Sequence, residues 1–279
     1  MMNDIKAVAA VVAEMDKQLR GILTSPKMLW ENTYTKHQLD KRTEGDTFGL
    51  SDHIRAMVYS MLSSGITWGR VESMTDLETG RITPLDDLFH QYDPDYILSC
   101  DPLELWGGIK GLHLASRYTK NQMIALVDVN IPKLKAIEQE YGSIDTLYKK
   151  HIVDDDMSCL VWKLSAADSK MKFAQMGEAL VAEYLKNVGY NTSKPDRHIR
   201  RILGSNYLAC SDSEIVPVFE AFDIVADIAK ELGKPTAEVD YILWSYCASG
   251  YGEICTLNNP KCEICRARAA NICTSAQGR

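Results

Sequence analysis

The sequence predicts an all-α protein. Apolar residues recur at helical spacing in almost every readable segment, capping residues and glycines punctuate those segments, and no stretch shows sustained strand alternation or an Asn-Gly hairpin signal. Ten or more short helices are expected.

In chain order, Ile5, Val8, Val12, Met15 and Leu19 form one stripe behind Asn3 or Asp4 as cap, which predicts an amphipathic first helix. Asp4 stands where a secretory leader needs a basic residue, and the apolar run stops at Glu14, so a signal peptide is not expected. No apolar run is long enough to cross a bilayer. Ile54, Met57, Val58, Met61 and Leu62 line a second stripe, with Ser51 expected as its cap. Further helices end at Gly142 and Gly189, the latter with Leu180, Tyr184, Leu185 and Val188 on its stripe. Ser211 and Glu214 form an expected capping box for a helix that closes at Gly233. A last long helix turns Val239, Ile242, Leu243 and Tyr246 inward.

The 279 residues can bury one large core or two modest ones. A net charge of −7 excludes steering of nucleic acid by overall charge. Basic residues cluster locally, however, in KPDRHIRR at Lys194–Arg201 and at Lys261, Arg266 and Arg268.

Of eight cysteines, Cys100, Cys159, Cys210 and Cys247 are scattered among apolar neighbours and are expected as buried free thiols. The other four, Cys255, Cys262, Cys265 and Cys273, are spaced C-x6-C-x2-C-x7-C. A C-x2-C pair turns two sulfurs the same way, and the outer thiols close a cage suited to Zn²⁺ or an iron–sulfur cluster. Zinc ribbons usually carry two C-x2-C pairs, and this segment has one, which favours iron–sulfur. The segment has few large apolar residues, so its fold is expected to depend on the bound group. This cysteine pattern does not resemble a secreted disulfide framework, and a cytoplasmic protein is expected.

Upstream, Gly177 lies between two helical segments, where a tight turn can aim backbone N–H groups at a phosphate without any basic side chain. Asp196 follows Pro195 and precedes RHIRRI, as an N-cap does. A carboxylate at that position can also stabilise positive charge developing nearby.

Together these features resemble the helix-hairpin-helix DNA glycosylase superfamily, in its endonuclease III-like branch with a C-terminal [4Fe–4S] cluster. The resemblance runs from about Ser51 to Cys273. It is strongest in Gln175–Leu203 and Val239–Cys273, and looser in Met61–Thr67 and Ile109–Arg117. It implies a six-helix barrel over residues 51–192, with its hairpin near 173–183. A second helical domain, from residues 1–50 and 193–279, would carry the cluster on Cys255, Cys262, Cys265 and Cys273, with zinc as the alternative. It further implies a monomer acting on lesion-containing duplex DNA, nucleoid-associated if bacterial or archaeal. Asp196 would be catalytic, and Gln175, Gly177, Ala179, Arg197 and His198 would contact DNA.

The sequence departs from the family hairpin L-P-G-V-G-x-K-T-A. Gln175 replaces the first glycine and Ala179 the lysine that forms a Schiff base, and alanine cannot be a nucleophile. A monofunctional glycosylase of base excision repair, using water, is therefore expected. The alternatives are a lyase using a displaced lysine (Lys170, Lys172 or Lys194) and a non-catalytic iron–sulfur DNA-binding protein. Gly65 stands where many relatives carry a gap-filling glutamine, and the last thiol spacing is seven where the family usually has five. Trp68 and Trp106 are expected to pack in the core rather than stack on a base. Asp240 and Glu238 are candidates for supporting groups on the last long helix.

Overall fold

The computed structural model describes residues 2–66, 68–154 and 156–275, so Thr67 at the end of the Met61–Thr67 segment lies outside them. Among the described residues there is no strand, only isolated bridges at Thr75 with Ile82 and Val153 with Asp156. The helices in order are α1 (Ile5–Ile22), α2 (Tyr34–Glu44), α3 (Leu50–Leu62), α4 (Trp68–Glu72), α5 (Thr83–Leu88), α6 (Pro94–Ser99), α7 (Pro102–Gly111) and α8 (Thr119–Ala125). They continue as α9 (Ile131–Tyr141), α10 (Ile144–Lys149), α11 (Ser158–Ser165), α12 (Glu178–Asn187), α13 (Arg197–Ile202), α14 (Val218–Leu232), α15 (Thr236–Cys247) and α16 (Arg266–Ala269). The protein is all-α.

The chain divides into two compact units. One is continuous, Asn32–Tyr190; the other joins Met1–Glu31 to Asn191–Arg279. The division thus falls at Glu31/Asn32, and α2 sits in the continuous unit because it is fastened to the end of α12. Arg42 Nε donates to the Val188 carbonyl at 2.8 Å, and Thr35 Oγ1 lies 3.2 Å from Asn187 Oδ1. At Gly189, φ is +79° and a Cβ would stand 2.4 Å from the Gln38 carbonyl oxygen, so only glycine permits this approach.

The core of the continuous unit is built around α3, whose residues from His53 to Leu62 are all buried and which packs along α12. α8 runs into α9 through a π turn, Leu126–Asn130. Pro132 stands two residues past it; it has no N–H to bond the preceding turn, and the widened turn absorbs that loss.

In the divided unit α1 packs against α14 and α15. Val8, Val12, Met15 and Leu19 meet Val225, Ile228, Ile242, Leu243 and Tyr246, so the expected stripes point inward. Each buried aliphatic side chain contributes about 1.5–3 kcal/mol.

Several local expectations are corrected. Gly49, not Ser51, caps α3, and Asp52 Oδ2 accepts from the Gly49 N–H at 3.1 Å. α14 begins only after Pro217, which has extended backbone geometry, and Ser211 and Glu214 lie in bends ahead of it. Ser211 Oγ accepts instead from Ser213 N–H at 3.1 Å. Cys210 and Cys247 are buried, but Cys159 is exposed and Cys100 half-buried. Trp68 and Trp106 are half-buried rather than in the core.

Candidate active site

Asp196 is the N-cap of α13. Its Oδ1 accepts from the backbone N–H groups of His198 at 2.7 Å and Ile199 at 3.2 Å. The carboxylate is half-buried, Arg197 beside it is exposed, and Ile199 anchors the helix in the core. Burial lowers the pKa of His198 against the opposing pull of Asp196, with Arg197, Arg201 and Lys194 lowering it further. His198 is therefore a neutral donor or acceptor near pH 7.

The segment leading into Asp196 is fixed from α15. Asp240, 2 % exposed, accepts at Oδ1 from the Lys194 N–H at 2.9 Å, and Asn191 Oδ1 accepts from the Ala237 N–H at 3.1 Å. At its other end α13 is held by Arg200, whose Nε donates to the Val216 carbonyl at 2.6 Å. Arg201 donates to the Cys255 carbonyl, lies 3.7 Å from Cys255 Sγ, and covers the Tyr207 ring at 4.7 Å.

The hairpin turn of the continuous unit exposes Gln175 and Gly177 while Phe173 and Met176 anchor it in the core. Gly177 is not the strained residue: its φ is −89° and nothing lies within 4 Å of where a Cβ would stand. Gln175 takes the left-handed conformation, at φ +58°, at the position where the family pattern has glycine. Gly177 is the N-cap of α12 and supplies no side-chain cap, so the first-turn amides are left for water or an anion. Ala179 sits half-buried in that first turn.

Asn130, fully buried in the π turn, grips this hairpin. It accepts from the Ala174 N–H at 2.8 Å and donates to the Ala174 carbonyl at 3.1 Å. Lys172 Nζ donates to the Ser165 carbonyl at 2.6 Å, and Lys133 Nζ to the carbonyls of Lys172 at 2.5 Å and Lys170 at 3.3 Å.

The four clustered cysteines share one region around α16. Cys265 is buried, Cys255, Cys262 and Cys273 are half-buried, and Cys255 stands against a fifth thiol, the buried Cys247. A hydrogen bond with Cys247, then the Arg201 charge, lower the Cys255 pKa to about 7 against the effect of burial. Burial raises Cys262, and the charges of Cys265 and Cys255 raise it further; Cys273 responds to burial and to all three of the others. The four sulfurs are therefore near neighbours, and four thiols beside an arginine suit an anionic metal–thiolate group in composition. They have not closed on one point: among the described residues no three His, Cys, Asp or Glu side chains form a group able to hold a metal ion.

No family model and no curated protein matches the chain. A solved structure does: that of Methanocaldococcus jannaschii 8-oxoguanine glycosylase/lyase in complex with a 15mer DNA containing 8-oxoguanine. The two align with a TM-score of 0.51 over 83 % of this chain and 94 % of that one, at 14 % identity. The chain shares the all-helical fold of that glycosylase/lyase. At this identity the likeness is one of fold alone.

Within that fold, three positioning side chains escaped the sequence reading or were only suspected. Asp240 stood out merely as one of two acids, with Glu238, at the start of a largely apolar helix. Asn130 had no signal beyond a polar residue two before Pro132, and Arg201 read as one more base in KPDRHIRR. Each works through a backbone partner distant in sequence, which a spacing pattern does not reveal.

Proposed function

We propose that this protein is a DNA glycosylase of base excision repair that hydrolyses the N-glycosidic bond of a damaged or mismatched base flipped from duplex DNA. The observation that carries the reading is Asp196, a helix-capping carboxylate that is half-exposed, with one oxygen held by two amides. A base inside the stack cannot be reached, so it must first swing out. Cleavage of its bond to C1′ then builds oxocarbenium-like positive charge on the sugar, which an ionised carboxylate stabilises. Water adds at C1′, and the base departs with the bonding electrons and takes up a proton. The likeness to a glycosylase/lyase solved on DNA supports the DNA-directed part of this reading.

Hydrolysis without a lyase step is favoured because Ala179 stands at the Schiff-base position, while Lys172 and Lys133 are engaged with backbone carbonyls. The exposed turn at Gln175 and Gly177, the uncapped start of α12 around Ala179, and Arg197 and His198 on α13 would contact the DNA backbone. Cys255, Cys262, Cys265 and Cys273 would hold a [4Fe–4S] cluster, with zinc the alternative. When bound, that group would staple a segment poor in apolar residues.

The test is a panel of duplexes bearing alkylated, oxidised, deaminated and mismatched bases, each assayed with and without alkali. Release of a base that gives a strand break only after alkali is expected, with a loss of about a hundredfold or more in Asp196→Asn. Nicking without alkali would overturn the hydrolytic part. Absence of release from every duplex, or an unaffected Asp196→Asn, would overturn the catalytic assignment. Visible absorption and iron content of the purified protein distinguish iron–sulfur from zinc.

A further inference from the structure

We infer that the surface formed by α7, the loop after it and the start of α8 is a DNA-strand contact, with Lys110, Arg117 and Lys120 on phosphates and Tyr118 against an exposed base. This rests on the DNA-directed reading above and adds a binding surface to it.

Charge is the first argument. The chain carries a net −7, yet residues 105–127 contain no Asp or Glu and hold Lys110, Arg117 and Lys120. All three are exposed, and no carboxylate pairs with any of them among the described residues. An acidic protein that binds a polyanion must concentrate its cations locally.

The second argument is the company these cations keep. Lys110 Nζ and Lys120 Nζ, from two different helices, lie 5.5 Å and 5.6 Å from the Trp106 ring centroid. The Arg117 guanidinium lies 4.7 Å from the ring of Tyr118, which is 42 % exposed. Aromatic rings interleaved with cations can stack bases while holding the strand's phosphates, whereas a surface made only for solubility has no use for exposed rings.

Location is the third. Tyr118 lies over the loop after α3: a Cβ on Gly65 would stand 3.7 Å from the Tyr118 ring. Beside it, the buried Gln122 donates to Ser64 Oγ at 3.2 Å. Four residues earlier, Ser60 Oγ donates to the Leu180 carbonyl at 2.5 Å, in the first turn of α12. The patch and the uncapped hairpin amides are thus fastened to residues four apart in sequence, Ser64 just past the end of α3 and Ser60 in its last turn.

The experiment is fluorescence anisotropy of the full-length protein with an undamaged labelled duplex over a range of salt concentrations. Each phosphate contact contributes about 0.9 to the slope of log K against log salt. Lys110→Gln with Arg117→Gln and Lys120→Gln should lower that slope by about 2 to 3. The exposed pair Lys149→Gln with Lys150→Gln, elsewhere on the same unit, should leave it unchanged. Tyr118→Ala should weaken binding roughly tenfold at unaltered slope, with Tyr118→Phe restoring it. An unchanged slope in the triple variant, or an equal fall in the control pair, overturns the proposal. Thermal unfolding of each variant verifies that the exposed substitutions leave the fold intact. Asp196→Asn should bind with the wild-type slope, so failure of catalysis and failure of the patch read separately. A wild type showing no salt-dependent binding would overturn both readings.

Discussion

The buried carboxylate of Asp240 accepts a hydrogen bond from the backbone N–H of Lys194, 2.9 Å away and two residues ahead of Asp196. Pro195 between them fixes its own φ and restrains Lys194, so the short link transmits the position of α15 to the first turn of α13. The candidate catalytic carboxylate is set by a helix more than forty residues downstream.

Removing that support should misplace Asp196 without unfolding the unit. Asp240→Leu is expected to slow base release by about 10- to 100-fold in single turnover, because small displacements of a reacting group are costly. Affinity for DNA should change little, since Asp240 is buried. Asp240→Asn keeps an acceptor oxygen and should retain most of the rate. Wild-type release by Asp240→Leu would show that the position of Asp196 does not depend on this bond.

Arg201 fastens the opposite end of α13 to the cysteine segment, through the Cys255 carbonyl and the Tyr207 ring. Arg201 is only 8 % exposed, so replacing it strands polar groups that have no ready access to water. Arg201→Met should lower stability by about 1–3 kcal/mol in denaturant unfolding, and Arg201→Lys by less, because lysine keeps the charge and a donor while losing only the planar fork. An unchanged midpoint in Arg201→Met would dissociate α13 from the cysteine segment.

The helices were legible because burial imposes a 3.6-residue period on the apolar stripe of α1 and on the inward side chains of α15. The cap at Asp196 was legible for the same kind of reason, since both its residue type and its place after Pro195 are local. Starts of helices were less so. Ser211 and Glu214 have the right spacing for a capping box, but Pro217 restricts the residue before it and delays α14 to Val218. The left-handed position of the turn falls on Gln175 rather than Gly177, because a left-handed φ depends on how Phe173 and Met176 are pulled into the core. Nothing in the local sequence reports that pull.

His53 makes the continuous unit sensitive to acid. Its Nδ1 lies 2.6 Å from the Tyr184 hydroxyl, which is itself 2.9 Å from that of Tyr148, while Nε2 is 3.8 Å from Asp145. Burial lowers its pKa to about 4; Asp145 opposes this and Arg42 reinforces it. The unfolded chain takes up this proton near 6.5, so between 6.5 and about 4 it binds more protons than the folded protein. The stabilisation is complete above 6.5 and is lost as pH falls, by about 3 kcal/mol in all. Burial also raises Asp145, but the two-pronged Arg42 outweighs it and holds that carboxyl below its ordinary value, so its contribution is lost at still lower pH. Urea midpoints measured from pH 7 to 4.5 should fall steeply for the wild type and less for His53→Gln. Parallel curves would remove His53 as the source, leaving His37, His151 and His198, which burial also lowers.

Gln175 offers a test of the hairpin that separates backbone strain from DNA contact. A left-handed φ costs a non-glycine residue about 1–2 kcal/mol, and glycine gives back roughly half of that in unfolded-state entropy. Gln175→Gly should therefore be neutral or stabilising by up to about 1 kcal/mol, while Gln175→Val should be destabilising, because a β-branched side chain tolerates that conformation worst. Gly177→Ala has open space for its methyl group and an ordinary φ, so the fold should be unaffected. If the turn amides take a phosphate, that methyl group stands beside the anion, and DNA affinity should fall severalfold at unchanged thermal stability. A Gly177→Ala protein that binds duplex DNA as tightly as the wild type would move the phosphate contact away from this turn.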